Sequence, residues 1–163
     1  MKVLIVSDTH GQDYNFFEVL EKVGQPDFLI HAGDTSGSEE LIKNSVRCPV
    51  KMVLGNNDYN PNYKYEEEFE IAGIKFLLLH GHRDGVYLGN DRIFYKAMER
   101  DAQVVVYGHT HVPDIEYDEE YGIWAVNPGS LTYPRQQGHL PSYIIMDIND
   151  KDEPEFRINF LTN

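Results

Sequence analysis

The stretch VLIVSDTHG, residues 3–11, opens the chain with a short apolar run that ends in a polar turn. Aliphatic and β-branched residues in so short a run predict a buried strand over residues 3–7. Asp8 and His10 follow this strand directly. Open α/β sheets bind their ligands beyond the carboxyl ends of the strands. The stretch therefore indicates both an α/β fold and the end of the sheet at which a functional site is expected.

Outward from this stretch, the first half of the chain alternates apolar runs with amphipathic segments. The strands of this half are predicted at residues 3–7, 28–31 and 50–54, and its helices at residues 14–23 and 39–44. This β-α-β-α-β order favours a parallel sheet with the helices as crossovers.

The second half of the chain contains more strands than helices. Residues 65–71 and 75–80 flank Ala72-Gly73 and predict a β-hairpin. The remaining predicted elements are a helix at 91–100 and strands at 104–107, 115–117, 123–126, 143–148 and 155–160. So many strands with so few helices predict two packed sheets with helices outside them, within a single domain spanning residues 1–163.

Composition narrows the classes of protein to which the chain can belong. It has 163 residues, 41% hydrophobic and 25% charged, which is ordinary for a globular protein. Its one cysteine, Cys48, allows no internal disulfide, and we expect a structural role for it. No run reaches the roughly 18 apolar residues of a membrane helix. The N-terminus lacks the features of a signal peptide, so a cytoplasmic location and no membrane partner are expected.

The formal net charge of −13 also restricts the possible partners. An acidic surface repels polyanions, so binding to long nucleic acid is not expected. Attraction of a small anionic substrate would then need a local positive field, and bound metal ions would supply one.

Five short motifs place potential metal ligands after predicted strands. They are Asp8-Thr9-His10, Gly33-Asp34, Gly55-Asn56-Asn57-Asp58, His80-Gly81-His82 and Gly108-His109-Thr110-His111. Each motif is weak evidence by itself: an ordinary turn explains the first three as well or better, and Gly108-His109-Thr110-His111 is the strongest of the five. His31 lies on a strand, and for it we favour a hydrogen-bonded core histidine. Seven candidate ligands at five strand ends nevertheless indicate a common site: Asp8, His10, Asp34, Asn56, His80, His109 and His111.

The residue types suit transition-metal chemistry. A carboxylate combined with imidazoles favours Mn, Fe, Zn or Ni over Ca. Asp34 has two carboxylate oxygens and can bridge two cations, while Asn56 offers a neutral carbonyl oxygen. Asn57 and Asp58 could hydrogen-bond the substrate or hold the ligands in place. His82 is a weaker candidate for a ligand or a substrate contact than His80, which ends an apolar strand.

Taken together and in this order, the motifs resemble those of the calcineurin-like metallophosphoesterase superfamily. The resemblance spans residues 3–135. The short chain, the GNND motif, Asn127-Pro128-Gly129-Ser130 and Pro134-Arg135 are most similar to its small prokaryotic phosphodiesterases. The resemblance implies a four-layer α/β/β/α sandwich of two mixed β-sheets flanked by helices. It also implies one metal held by Asp8, His10, Asp34 and His111, and a second held by Asp34, Asn56, His80 and His109.

The family mechanism implied here uses two divalent metal ions, manganese most of all, with nickel, iron or zinc as alternatives. A hydroxide activated by the pair would attack phosphorus in line with the leaving alkoxide. Many relatives carry a histidine after the ligand asparagine as the leaving-group acid, whereas this chain has Asn57, which cannot donate a proton near neutral pH. His82 or a metal-bound water could replace it. The resemblance therefore implies hydrolysis of small-molecule or nucleotide phosphodiesters.

Several further predictions stay open at the level of sequence. Arg135 is the candidate phosphate contact, because guanidinium binds phosphate oxygens in a bidentate manner, but a surface role is about equally expected. Four tyrosines could line a pocket: Tyr59, Tyr63, Tyr87 and Tyr133. The same metals would also support a phosphomonoesterase or nucleotidase. A non-catalytic scaffold, like the retromer subunit of this fold, is the third alternative, and a homodimer is possible.

Overall fold

In a computed structural model, which describes residues 1–162, the opening apolar run forms a five-residue strand, Lys2–Val6. The other strands, β2 to β10, are Phe28–His31, Val50–Met52, Glu66–Ile71, Ile74–Leu79, Val104–Val106, Pro113–Asp118, Ile123–Pro128, Ser142–Ile148 and Pro154–Phe160. The helices α1 to α3 are Tyr14–Val23, Glu39–Asn44 and Asp91–Glu99. A single 3-10 turn at Val86–Leu88, which the sequence analysis did not predict, precedes α3.

The strands form two mixed five-stranded sheets. The first has the order β10-β9-β1-β2-β3 and the second β4-β5-β6-β8-β7. As predicted, β1, β2 and β3 are parallel, and β4 and β5 form an antiparallel hairpin closed by Ala72 and Gly73. Both turn residues have positive φ, 50° and 81°, as a tight two-residue hairpin turn requires.

Side chains of successive strand residues point to opposite faces of a sheet. The core therefore has three layers, one between the two sheets and one on the outer face of each sheet. In β1, Val3 and Ile5 face the other sheet, while Leu4 and Val6 pack against α1 and α2. In β5, Leu77 and Leu79 pack against α3. The helices therefore cover the outer face of each sheet. The predicted four-layer α/β/β/α sandwich is confirmed.

All the predicted helices and strands are present, but four strands stop before the residues expected to end them. β1 ends at Val6 and not at Ser7, β3 at Met52, β5 at Leu79 and β6 at Val106. Beyond these ends the backbone pairs across loops: Asp8 N donates to Gly33 O and Gly108 N donates to His80 O. The residues that follow these strands thus hydrogen-bond to neighbouring loops at one edge of the molecule.

Conversely, β7 and β8 extend beyond the predicted residues. They pair from Pro113 with Pro128 to Asp118 with Ile123.

Among the described residues, no helix has the length and apolarity needed to span a membrane.

Candidate metal centre

The loops after the strand ends bring the predicted ligands together. One carboxylate or imidazole atom from each of four residues lies within 4.8 Å of all the others, and the four residues are Asp8, His10, Asp34 and His111. They come from the loops after β1, β2 and β6, which are far apart in sequence. This is the group that the resemblance assigns to a first metal.

Asp8 occupies the centre of this group. Its Oδ1 lies 3.1 Å from Nε2 of His111, 3.6 Å from that of His10 and 3.8 Å from that of His80. Although buried, Oδ1 has no hydrogen-bond partner among residues 1–162. Its other oxygen, Oδ2, accepts from the Ser7 hydroxyl at 2.6 Å. A buried carboxylate oxygen surrounded by nitrogen atoms but lacking a donor is the environment that a cation would satisfy.

Asp34 lies between the two predicted ligand groups. Its Oδ2 is 3.7 Å from His10 Nε2 on one side and 3.3 Å from His80 Nε2 on the other. His80 Nε2 is also 3.1 Å from Asn56 Oδ1. The Asp34 carboxylate therefore adjoins both groups, as a bridging ligand must.

His109 approaches the second group with its ring, whose centroid lies 5.1 Å from that of His80. Its backbone N–H donates to Asp8 Oδ2 at 3.1 Å. All seven sequence-predicted ligands thus lie at one site.

Backbone carbonyls fix which nitrogen of two imidazoles faces the centre. His80 Nδ1 lies 2.7 Å from Ala32 O, and His111 Nδ1 lies 2.8 Å from Tyr133 O. A carbonyl only accepts, so we assign the proton to Nδ1 in both rings. Nε2 of both rings therefore faces the centre, where Nε2 of His80 lies near oxygens of Asp8, Asp34 and Asn56. This convergence of carboxylate oxygens and imidazole nitrogens fits a metal ion.

The electrostatics agree with this geometry. Burial alone would raise the pKa of Asp34, but His80 and the donors of Asn57 outweigh it and lower that pKa to about 2. Burial likewise opposes ionisation of Asp8, yet His10 and His111 hold its pKa below the usual range. Burial lowers the pKa of His80, but Asp34 and Asp8 overcome it and raise that pKa to about 8. Both carboxylates are therefore anionic and attract positive charge at the centre.

The ligand loops adopt a backbone conformation that is unfavourable for most residues. Five of the seven predicted ligands have positive φ, namely Asp8 at 55°, His10 at 49°, Asp34 at 58°, His109 at 69° and His111 at 59°. Left-handed conformation is uncommon for residues other than glycine and persists where surrounding contacts impose it. The surrounding fold therefore imposes the direction of these side chains.

Glycines in the motifs make room for the carboxylates. A Cβ on Gly55 would lie 2.1 Å from Asp34 Oδ1, and one on Gly108 would lie 2.2 Å from Ser7 Oγ and 2.7 Å from Asp8 Oδ2. The backbone of each motif thus passes directly against a carboxylate of a neighbouring loop.

Asp58 and Asn57 hold the ligands in place. Asp58 is buried and accepts from the backbone N–H groups of Asp34, Ser36 and Gly55 and from the Thr35 hydroxyl. Asn57 donates to Asp34 twice, from its backbone N–H and from its side chain, each at 2.9 Å. Of the two roles that the sequence left open for Asp58, these contacts favour support of the ligand loops over contact with substrate.

The other candidates divide between the rim and the core. His82 is half-buried beside His80 and His109, with Nδ1 unpartnered among the described residues. Burial and then the charge of His80 lower the pKa of His82, so it is mostly neutral near pH 7. As expected, His31 is a hydrogen-bonded core residue, paired with Thr9 Oγ1 and the Gly33 N–H.

Arg135 and three of the four tyrosines lie around the centre. The Arg135 guanidinium donates to the Tyr87 hydroxyl, which donates to the His109 carbonyl at 3.2 Å. Tyr133 packs against His10, with ring centroids 5.2 Å apart. Tyr59 lines a cavity beside Asn57. Tyr63 lines a different cavity, beside Val50 and Lys64, where it packs against the core and donates to Glu40.

Further supporting residues are clear only in three dimensions. Asn127 donates to the Gly108 carbonyl at 3.1 Å and to Thr110 Oγ1 at 2.9 Å, and Ser130 donates to the Asp8 carbonyl at 2.8 Å. The sequence analysis named both only as part of the Asn127-Pro128-Gly129-Ser130 motif. It missed Ser7, whose position directly before Asp8 was the only available signal.

Comparison of the sequence with known proteins matches the chain to a phosphoesterase family. A model of the calcineurin-like phosphoesterase superfamily domain matches residues 1–151. A probable metallophosphoesterase of Mycoplasma genitalium is 34% identical over 164 residues, which cover 98% of this chain and 95% of the relative.

Solved structures show the same fold. A conserved uncharacterized protein of Streptococcus pneumoniae, described as a predicted phosphoesterase, has a TM-score of 0.81 and 28% identity over 99% of this chain and 88% of its own. An archaeal phosphodiesterase has a TM-score of 0.75 and 26% identity over 99% and 100% of the two chains. Vps29 of Entamoeba histolytica complexed with Zn²⁺ shares the fold, with a TM-score of 0.77 and 20% identity. The match covers 98% of this chain and 99% of the Vps29 chain.

Proposed function

Since the chain belongs to the calcineurin-like phosphoesterase superfamily, we propose that it is a dinuclear metal-dependent phosphodiesterase acting on small-molecule or nucleotide phosphodiesters. One observation carries the proposal: carboxylate oxygens of Asp8 and Asp34 and imidazole nitrogens of His10 and His111 converge within 4.8 Å of one another, and the buried Oδ1 of Asp8 has no hydrogen-bond partner among the described residues. A cation at this point would satisfy that buried oxygen and offset the two carboxylate charges.

The proposed ligand sets share Asp34. Asp8, His10, Asp34 and His111 would hold one divalent ion, and Asp34, Asn56, His80 and His109 would hold the second; manganese is the proposed metal, and nickel, iron and zinc also suit these donors. When bound, the ions would supply Lewis acidity that offsets phosphate charge and activates water.

The chain's own residues then orient the centre and the substrate. Asn57 fixes both oxygens of Asp34 with its two donors. Arg135 is held beside His109 by the Tyr87 hydroxyl, at the rim, where a guanidinium can bind phosphate oxygens. We assign Arg135 to substrate binding on this basis.

Proton supply to the leaving group separates the possible substrates. Asn57 is no acid, and the lowered pKa of His82 makes that residue a poor proton donor near pH 7. The centre is therefore best suited to esters whose leaving group departs with little protonation. The likeness to an archaeal phosphodiesterase supports diesters over the alternative monoesterase activity.

Hydrolysis of bis(p-nitrophenyl) phosphate and p-nitrophenyl phosphate with added Mn²⁺ tests the proposal. We expect the diester to be cleaved with the higher kcat/KM, and Asp34→Ala and His80→Ala each to reduce kcat/KM at least about 100-fold, because each removes a ligand. His139→Ala, which removes an exposed histidine outside the centre, should change nothing.

Three outcomes would redirect the proposal. A higher kcat/KM on the monoester would favour the phosphomonoesterase. Hydrolysis that persists in Asp34→Ala would refute this metal centre. Absence of both hydrolysis and Mn²⁺ binding in the wild type would favour the non-catalytic scaffold.

A further inference from the structure

A cavity of 460 Å³ opens beside the metal centre, lined by Ser36, Gly37, Glu39, Asn57, Tyr59 and Asn60. Its size falls within the roughly 300–1,000 Å³ of small-molecule sites. We infer that this cavity is the leaving-group subsite and that it accepts a nucleoside, an inference that rests on the proposed phosphodiesterase function.

Asn57 connects the cavity to the centre. The residue lines the cavity, while its side-chain amide donates to Asp34 Oδ2 at 2.9 Å. One residue, Asn57, therefore separates the cavity from the Asp34 carboxylate, which adjoins both ligand groups. A phosphoester bound at the centre can direct one ester substituent into it.

Tyr59 supplies a flat apolar surface at the cavity. Its side chain is 87% exposed, and no aromatic ring packs on it among residues 1–162. An exposed tyrosine beside a phosphate site is a stacking platform for a base, since every base presents a π-face. A purely aliphatic leaving group would gain less from this ring.

Glu39 adds a requirement for hydrogen-bond donors. Its side chain is nearly buried, with 4% of the residue exposed, and Oε1 has no hydrogen-bond partner among the described residues. An unsatisfied buried acceptor is unfavourable. A hydroxyl or amino group on the ligand would relieve this cost, and Ser36 and Asn60 add further polar groups at the wall. A nucleoside combines the flat ring and the donors that these residues would recognise.

Binding of adenosine to protein stripped of metal with EDTA tests the subsite independently of catalysis. Isothermal titration should detect binding to the wild type and about tenfold weaker binding to Tyr59→Ala, the usual size of a lost base-stacking contact. Glu39→Gln, which keeps the shape and removes the carboxylate, should weaken binding similarly. Tyr95→Ala is the matched control, because Tyr95 is also an exposed tyrosine but lies on α3.

Kinetic measurements then distinguish a failure of the nucleoside subsite from a failure of the phosphodiesterase proposal. Glu39→Gln should lower the ratio of kcat/KM for adenylyl-adenosine to that for bis(p-nitrophenyl) phosphate about tenfold, because nitrophenol offers Glu39 no donor. An unchanged ratio, or adenosine binding that both variants leave intact, would overturn the subsite. If the wild type binds adenosine through these residues yet hydrolyses no ester with Mn²⁺, the phosphodiesterase proposal fails and not the nucleoside site.

Discussion

At the scale of single residues, Asn57 orients the Asp34 carboxylate. Both of its oxygens accept from Asn57, and one of them adjoins His10 and His80. A hydrogen bond of this kind fixes a ligand in the orientation that the metal needs. Asn57, at a position where the sequence resemblance leads one to expect an acid, thus orients the proposed ligand Asp34.

Replacing Asn57 tests that role directly. We expect Asn57→Ala to weaken Mn²⁺ binding about 10- to 100-fold, the range typical of lost supporting contacts to a ligand. Calorimetric titration with Mn²⁺ measures the change. Asn62→Ala, an exposed asparagine five positions later, is the control, and equal affinities in the two variants would contradict the supporting role.

Gly108 gives a second prediction at this scale. In Gly108→Ala the new Cβ would overlap the Ser7 hydroxyl and Asp8 Oδ2, so we expect loss of metal binding and destabilisation of about 1–3 kcal/mol. Urea denaturation and metal titration measure the two effects. Gly138→Ala has backbone strain but no atom within 4 Å of its Cβ, so it should lose a little stability and keep the metal.

At the scale of elements, an ion-pair network ties α3 to the loop that carries His82. Lys96 on α3 pairs with Asp84, which is buried, and with Glu66 of β4 at 2.5 Å. Arg100 pairs with the same Glu66 at 2.7 Å. The segment between β5 and α3 is thus held at Asp84, two residues after His82, which limits the positions open to His82.

Removing the lysine should therefore be costly. Lys96→Met leaves the Asp84 carboxylate buried without its partner, and we expect the free energy of unfolding to fall by about 1–3 kcal/mol. The exposed pair of Arg157 with Asp147 provides the comparison, because Arg157→Met should cost less than about 1 kcal/mol. Urea denaturation of both variants measures the difference, and equal losses would show that burial of Asp84 contributes nothing.

At the scale of the whole molecule, the metal centre joins the two sheets. Asp8 and Asp34 follow strands of the first sheet, whereas His80, His109 and His111 follow strands of the second. Ions bound between them would link the sheets at one edge. Since the chain carries a net charge of −13, they would also neutralise part of its self-repulsion.

Metal should consequently stabilise the whole fold. We expect Mn²⁺ at about 100 times its Kd to add about 2.7 kcal/mol to the free energy of unfolding, with a rise in Tm that EDTA reverses. Differential scanning calorimetry measures the shift. His111→Ala should abolish most of it and His139→Ala none; an equal shift in both variants would mean that the ions bind elsewhere.

The sequence by itself determined the order of helices and strands, because apolar periodicity reflects which faces are buried. It also determined the identities of the candidate ligands, since these residue types recur at strand ends in a recognisable order. The short turn at Val86–Leu88 escaped prediction because three residues carry too weak a pattern. Strand ends such as Ser7 and His80 were misplaced because loop pairing outweighed local propensity.

Only the tertiary structure decided how those ligands are held. The strained φ angles of Asp8 and Asp34, the carbonyl that orients His80 and the two donors of Asn57 all depend on contacts between distant segments. The same is true of the unpartnered carboxylate oxygen of Glu39 and the cavity beside it. Residue types are written locally in the chain, but orientation, burial and charge environment arise only when remote loops meet at one edge of the two sheets.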